Sequence, residues 1–91
     1  MKKVEKKVWP EYFQQILEDR KTFELRINDF DIQEGDIFLL REWDPKTKDY
    51  TGRSLEKMVG YVGKWKLDEL TRFWSQKEID DKGLQIISLK D

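Results

Sequence analysis

Lys21, Glu24 and Arg26 lie close together in the run Lys21-Thr22-Phe23-Glu24-Leu25-Arg26 and bring an ammonium, a carboxylate and a guanidinium to one short stretch of chain. If that stretch is a strand, alternation turns Thr22, Glu24, Arg26 and Asn28 to one face and Phe23, Leu25 and Ile27 to the other. The polar face, with Lys21 at its entrance, suits a flat polar ligand such as a nucleobase or nucleotide. Arg26 can pair in a bidentate way with a carbonyl or phosphate, or stack on a base. Glu24 can accept from an exocyclic amine or hold Arg26 in position. Catalysis asks for more. Lys21 serves as a base only where its surroundings disfavour the ammonium; Arg20 and Arg26 do so, and Glu24 opposes them. Thr22 becomes a nucleophile only with such a base beside it. The plainest reading is a solvated strand face with a surface ion pair, a contribution of about 0–1 kcal/mol.

Composition narrows the chemistry further. With Cys 0 and His 0 there is no disulfide, thiolate, imidazole base, Cys/His zinc site or Ser-His-Asp triad. Charged residues make up 41% of the chain, yet Lys+Arg 18 against Asp+Glu 19 leaves a net charge of -1. A nucleic-acid contact must therefore come from a local patch rather than a bulk field. Aromatic residues at 13% supply apolar surface for a core. The length of 91 residues fits one domain over 1–91 with a single modest core. No apolar run reaches the length of a membrane span or a signal-peptide core, so a cytoplasmic monomer without membrane attachment is expected. Asn28, Asp29 and Asp31 lack the ligand spacing of a calcium loop and read as turn residues, so neither a metal nor a cofactor is expected.

The elements that must position the motif follow from periodicity. A short first strand ends near Val8. Pro10 suits a first helical turn, and Tyr12, Phe13, Ile16 and Leu17 form an apolar stripe predicting a helix from Pro10 to Glu18 or Asp19. The motif follows as a strand over 21–27. Glu34-Gly35-Asp36 reads as a turn launching Ile37-Phe38-Leu39-Leu40, an apolar run typical of a strand buried on both sides. Asp44 to Arg53 reads as a long hairpin loop, and residues 54–65 as a further strand with a bulge or close approach at Gly60 and Gly63. A helical turn or two begins near Asp68, residues 75–82 form a short helix, and residues 84–89 close the chain as a strand. Trp65, Phe73 and Trp74 read as core or barrel-plug packing. The expected order is β-α-β-β-β-α-β. Arg41 and Tyr50, beside Trp43 at the hairpin, are a candidate surface for stacking single-stranded bases.

Together these residues resemble a known family. Lys21-x-x-Glu24-x-Arg26 after an amphipathic helix, then Glu34-Gly35-Asp36 and a hydrophobic strand, looks like the ASCH domain of the PUA-like superfamily. The likeness runs from Trp9 to Leu89 and is strongest over 21–53, where it is closest to a small single-domain branch of that group. The resemblance implies an α+β fold: a small, partly open, mixed or antiparallel β-barrel with two or three covering helices. It also implies a cleft between the barrel and the first helix, lined by Lys21, Glu24 and Arg26, that takes RNA or a nucleotide-like ligand. The ligand-binding candidates are thus Lys21, Glu24, Arg26, Asn28, Arg41 and Tyr50. Some small ASCH proteins resemble amidohydrolases of acylated cytidine nucleosides that use a Lys, a Thr and a Glu. On that alternative the catalytic candidates are Lys21, Thr22 and Glu24, with Glu69 a candidate for the later Glu. Glu24 stands where the hydrolytic branch carries its Thr, which favours recognition over catalysis. A third alternative is a structural or protein-interaction domain in which the motif is an internal salt-bridge network.

Overall fold

Covered and exposed residues alternate along β1 (Lys3–Val8), where Val4, Lys6 and Val8 face inward and Lys3, Glu5 and Lys7 face solvent. The computed structural model describes residues 1–89. Pro10 then opens α1 (Pro10–Leu17), and the Trp9 carbonyl accepts the Phe13 N–H at 2.8 Å. Phe13 and Ile16, three residues apart on one helix face, pack with Val8 and Leu40 into the main core cluster, against which Phe38 and Leu55 lie. The helix ends in a Schellman turn. Arg20 N–H reaches the Gln15 carbonyl (2.9 Å) and Asp19 N–H that of Ile16 (3.0 Å), with Asp19 in the left-handed region at φ 58°.

β2 (Ile37–Asp44) is the central strand of a sheet ordered β1-β2-β3. It pairs parallel with β1, from Lys3 opposite Ile37 to Val8 opposite Glu42, and antiparallel with β3 (Asp49–Met58). α1 covers the face carrying Phe38, Leu40 and Glu42. The other face of β2, with Ile37, Leu39, Arg41 and Trp43, is only half-buried, so burial on both sides is corrected to burial on one.

The parallel pairing decides the fate of the motif. Because β1 and β2 bond to each other, residues 18–36 become the crossover between α1 and β2. Residues 21–27 therefore form a connection without regular secondary structure, not a strand. Glu24 turns inward, while Phe23, Leu25 and Ile27 are exposed. The two expected faces do not divide into a covered and an open one, since Thr22, Arg26 and Asn28 are exposed as well.

The hairpin is tighter than its sequence suggests. Asp44 Oδ1 accepts the Lys46 N–H (2.8 Å) and the Asp44 carbonyl accepts that of Lys48 (2.7 Å), closing the turn over 45–48. β3 thus begins at Asp49, and residues 59–65 lie outside any strand. The bulge sits between Arg41 and Trp43, where Thr51, Gly52 and Arg53 oppose Glu42; Gly52 supplies the required positive φ of 98°. Gly60 and Gly63 lie outside the bulge, but a Cβ at Gly63 would stand 3.0 Å from the Trp65 ring, so the close approach is found there and not at Gly60.

A 3-10 helix (Leu67–Arg72) follows, then α2 (Gln76–Lys82), which starts with a Ser75/Glu78 capping box and stops at Gly83. Trp65, Phe73 and Trp74 are exposed rather than core, and Phe73 and Trp74 pack on each other at 5.6 Å. Residues 84–89 form no strand, and Leu84, Ile86, Ile87 and Leu89 are exposed. Apolar, β-favouring sequence becomes a strand only when it meets a sheet edge, and here it meets none. The architecture is α+β, with an open three-stranded mixed sheet that does not close on itself.

Candidate functional site

The Schellman turn of α1 delivers Lys21 to the crossover, and the Lys21 N–H bonds back to the Gln15 carbonyl at 3.0 Å. Glu24 is the hub. Its Oε1 accepts from Lys21 Nζ at 2.8 Å and its Oε2 from Arg26 Nε at 2.9 Å. Lys21 Nζ also donates to the Phe23 carbonyl (2.8 Å) and lies 4.9 Å from the Phe23 ring centroid. Arg26 Nη2 donates to the Lys7 carbonyl at 2.6 Å, which ties the crossover to β1. The three side chains are 17%, 15% and 30% exposed in the order Lys21, Glu24, Arg26. They are too enclosed to be a freely solvated surface pair, so the triad is an organised feature of the crossover.

A cleft of about 390 Å³ opens beside it. The crossover lines it with Thr22, Phe23, Glu24, Arg26, Ile27 and Asn28, and Phe38 and Leu40 of β2 with Phe30, Ile32 and Val59 add apolar surface. The end of β3 and the chain leaving it also line the cleft, bringing Lys57, Tyr61 and Lys64 to it. Phe30 packs edge-on to Phe38 at 6.1 Å, with Lys6 Nζ 3.9 Å over its ring. Lys21 itself lines a second, more open hollow with Tyr12, Gln15, Arg20, Phe23 and Leu25. The two spaces meet at Phe23 and at the Lys21–Glu24 bridge.

The structure thus gathers Lys21, Glu24, Arg26 and Asn28 in one region and separates Arg41 and Tyr50 from it. By strand alternation these two share the uncovered face of the sheet, away from Leu40 and the cleft. There the Arg41 guanidinium lies 3.7 Å over the Tyr50 ring and also pairs with Glu5 at 3.2 Å. Lys7 Nζ stands 4.8 Å from the Trp43 ring centroid. Cations of the protein already occupy these aromatic faces. Glu69, on the 3-10 helix, lines neither the cleft nor the hollow.

One network escaped sequence reasoning. Glu42, 3% exposed, accepts from Arg53 through both oxygens (Nε at 2.9 Å, Nη2 at 2.7 Å) and from the Thr51 hydroxyl. Arg53 reaches on to Gln14 Oε1 of α1 and lies over the Phe13 ring. The Arg53 guanidinium holds the Glu42 carboxyl below its ordinary range; burial opposes this and the Thr51 bond assists it. The signal was present in the sequence, since Glu42 shares the Phe38–Leu40 face and a carboxylate on a covered face demands partners. Asp36 is likewise buried, and the backbone N–H groups of Gln33 (2.9 Å) and Lys2 (3.1 Å) lower its pKa. It fixes the starts of β1 and β2 together.

Lys21 donates to two acceptors, and the Thr22 hydroxyl has no hydrogen-bonding base beside it among the described residues. Of the five N–H donors of a guanidinium, Arg26 uses two in the bonds described. The other three are not engaged in those bonds. No helix among the described residues is long and apolar enough to cross a membrane.

Comparison with known proteins places the chain in a family. No curated protein matches it, and no solved structure matches it. A family model described as "Domain of unknown function (DUF3850)" matches residues 4–74, a span that runs from β1 past the 3-10 helix and contains every residue lining the cleft. The chain therefore belongs to the DUF3850 family.

Proposed function

We propose that the protein is an RNA- or nucleotide-binding module of ASCH and PUA-like type, with a nucleotide unit in the cleft beside Glu24 and Arg26. The observation that carries this reading is the enclosed Glu24 carboxylate holding Arg26 at a cleft with apolar surface in its lining. Ligand pockets combine such surface with a few placed polar groups, and a pre-oriented guanidinium recognises carbonyls and phosphates without first losing its own freedom. The closed barrel of that fold type belongs to this proposal; the three-stranded sheet described above is open.

Titration calorimetry with short RNA oligomers and nucleotides tests the reading. Saturable binding is expected, weakened about tenfold or more in Arg26→Met. Absence of binding across both sets refutes it. A structural reading is favoured by one specific bond, Arg26 Nη2 to the Lys7 carbonyl, which pins the crossover to β1. On that reading Arg26→Met lowers stability in a protein that takes neither RNA nor nucleotide.

A further inference from the structure

Charge is distributed unevenly around the cleft. Arg26, Lys57 and Lys64 all line it, and Lys21 is joined to it through the Glu24 bridge. Two carboxylates answer these cations directly: Glu24 by Lys21 and Arg26, and Asp19 by Lys57 at 3.2 Å. Asp31, whose charge reaches Lys64, is itself bound by Lys2 at 2.8 Å. Among the described residues Lys64 makes no ion pair, and Arg26 keeps donors beyond its two bonds. The local balance at the rim is positive in a chain whose net charge is -1.

Size limits the occupant. A cleft of about 390 Å³ lies at the small end of ligand sites, which run roughly 300–1,000 Å³. A single-strand track needs a basic groove that follows several successive phosphates. A volume of this size suits about one nucleotide, and Phe30, Ile32, Phe38 and Val59 among its lining give a flat ring apolar contacts.

Resting on the nucleotide-binding reading above, the geometry points to one phosphorylated nucleoside as the occupant, its base against those apolar residues and its phosphate at Arg26 and Lys64. Free mononucleotides and the phosphorylated end of an RNA share this chemistry. An internal stretch of RNA does not.

Calorimetric titration of the full chain uses ribonucleoside 5′-monophosphates, their nucleosides, inorganic phosphate, and oligouridine with and without a terminal phosphate. At least one monophosphate is expected to bind about tenfold or more tightly than its nucleoside, and a terminal phosphate to strengthen oligouridine similarly. If free monophosphates alone bind, the source is the free nucleotide; if phosphorylated oligouridine binds better, it is the RNA end. Lys64→Gln should lower monophosphate affinity about threefold to tenfold and leave the nucleoside unchanged. Equal affinity for nucleoside and monophosphate overturns the phosphate assignment and leaves the nucleotide-binding reading standing. Binding of unphosphorylated oligouridine alone also overturns it, in favour of an internal RNA strand. Inorganic phosphate binding as tightly as every monophosphate reduces the site to an anion hole. Silence from every probe removes both this inference and the reading on which it rests.

Discussion

Glu24→Gln separates an organised triad from a solvated one, because it removes the charge of the hub while keeping its shape. Glu24 accepts two charge-assisted bonds, at 2.8 Å and 2.9 Å, and its side chain is 15% exposed. A hydrogen bond to a charged group contributes about 1.5–3 kcal/mol when enclosed, and an exposed pair about 0–1 kcal/mol. With Lys21 well covered and Arg26 less so, the two bonds together stabilise the crossover by about 2–3 kcal/mol. The glutamine keeps one carbonyl acceptor but loses the second acceptor and the charge, so it should cost about 1–2 kcal/mol. Glu56→Gln is the internal control. Its partner Lys3 and Glu56 itself are 54% and 50% exposed, and the loss should stay within about 0.5 kcal/mol. Urea unfolding of both variants at neutral pH, in about 0.1 M and about 1 M salt, reads the difference. The Glu56 effect should fade in high salt and most of the Glu24 effect should persist. Equal costs, or a Glu24 effect abolished by salt, would refute the claim that the triad is enclosed.

Acid should act through the other buried carboxylates. The folded-state pKa values of Glu42 and Asp36 lie below their ordinary values, so the unfolded chain takes up protons first. Their contribution is complete above the ordinary values, 4.5 for Glu42 and 3.8 for Asp36, and is lost as pH falls through the lowered ones. Urea midpoints should therefore drop steeply below about pH 4.5. Glu42→Gln should flatten part of that drop while costing about 2 kcal/mol at neutral pH; an unchanged acid limb would contradict the Arg53 network. Asp19→Gly should raise the melting temperature, because glycine adopts the φ of 58° without the left-handed penalty. The expected gain is about 0.5 kcal/mol after loss of the exposed Lys57 pair, and a lower melting temperature would contradict the Schellman geometry.

Local chemistry was the legible part of the fold. Pro10 with the Phe13–Ile16 stripe and Glu34-Gly35-Asp36 before β2 each act within a few residues, and these elements, like the short helix expected over 75–82, formed where the sequence placed them. What depended on distant partners was hidden. Phe23, Leu25 and Ile27 alternate like a strand, but β1 took the edge of β2 that a motif strand would have needed. β3 carries polar residues on both faces around Gly52, so it resembled a loop until its pairing with β2 defined it. Residues 84–89 have strand composition and no partner. At the site, the contact of Lys21 and Arg26 with Glu24 was legible, since they are three and two residues from it. The approach of Lys57 and Lys64, and the separation of Arg41 and Tyr50, came only from tertiary placement.

Arginine Nε–H resonances offer the most direct test of a ligand site at the triad. Titration of labelled protein with the tightest-binding nucleotide or RNA, followed in nitrogen–proton correlation spectra, reports both faces of the sheet at once. Saturable shifts at Arg26 Nε–H and the amides of residues 22–28, with Arg41 Nε–H and the Tyr50 amide unmoved, are the predicted result. Shifts confined to Arg41 and Tyr50, or none at Arg26 when binding is saturated, would contradict it.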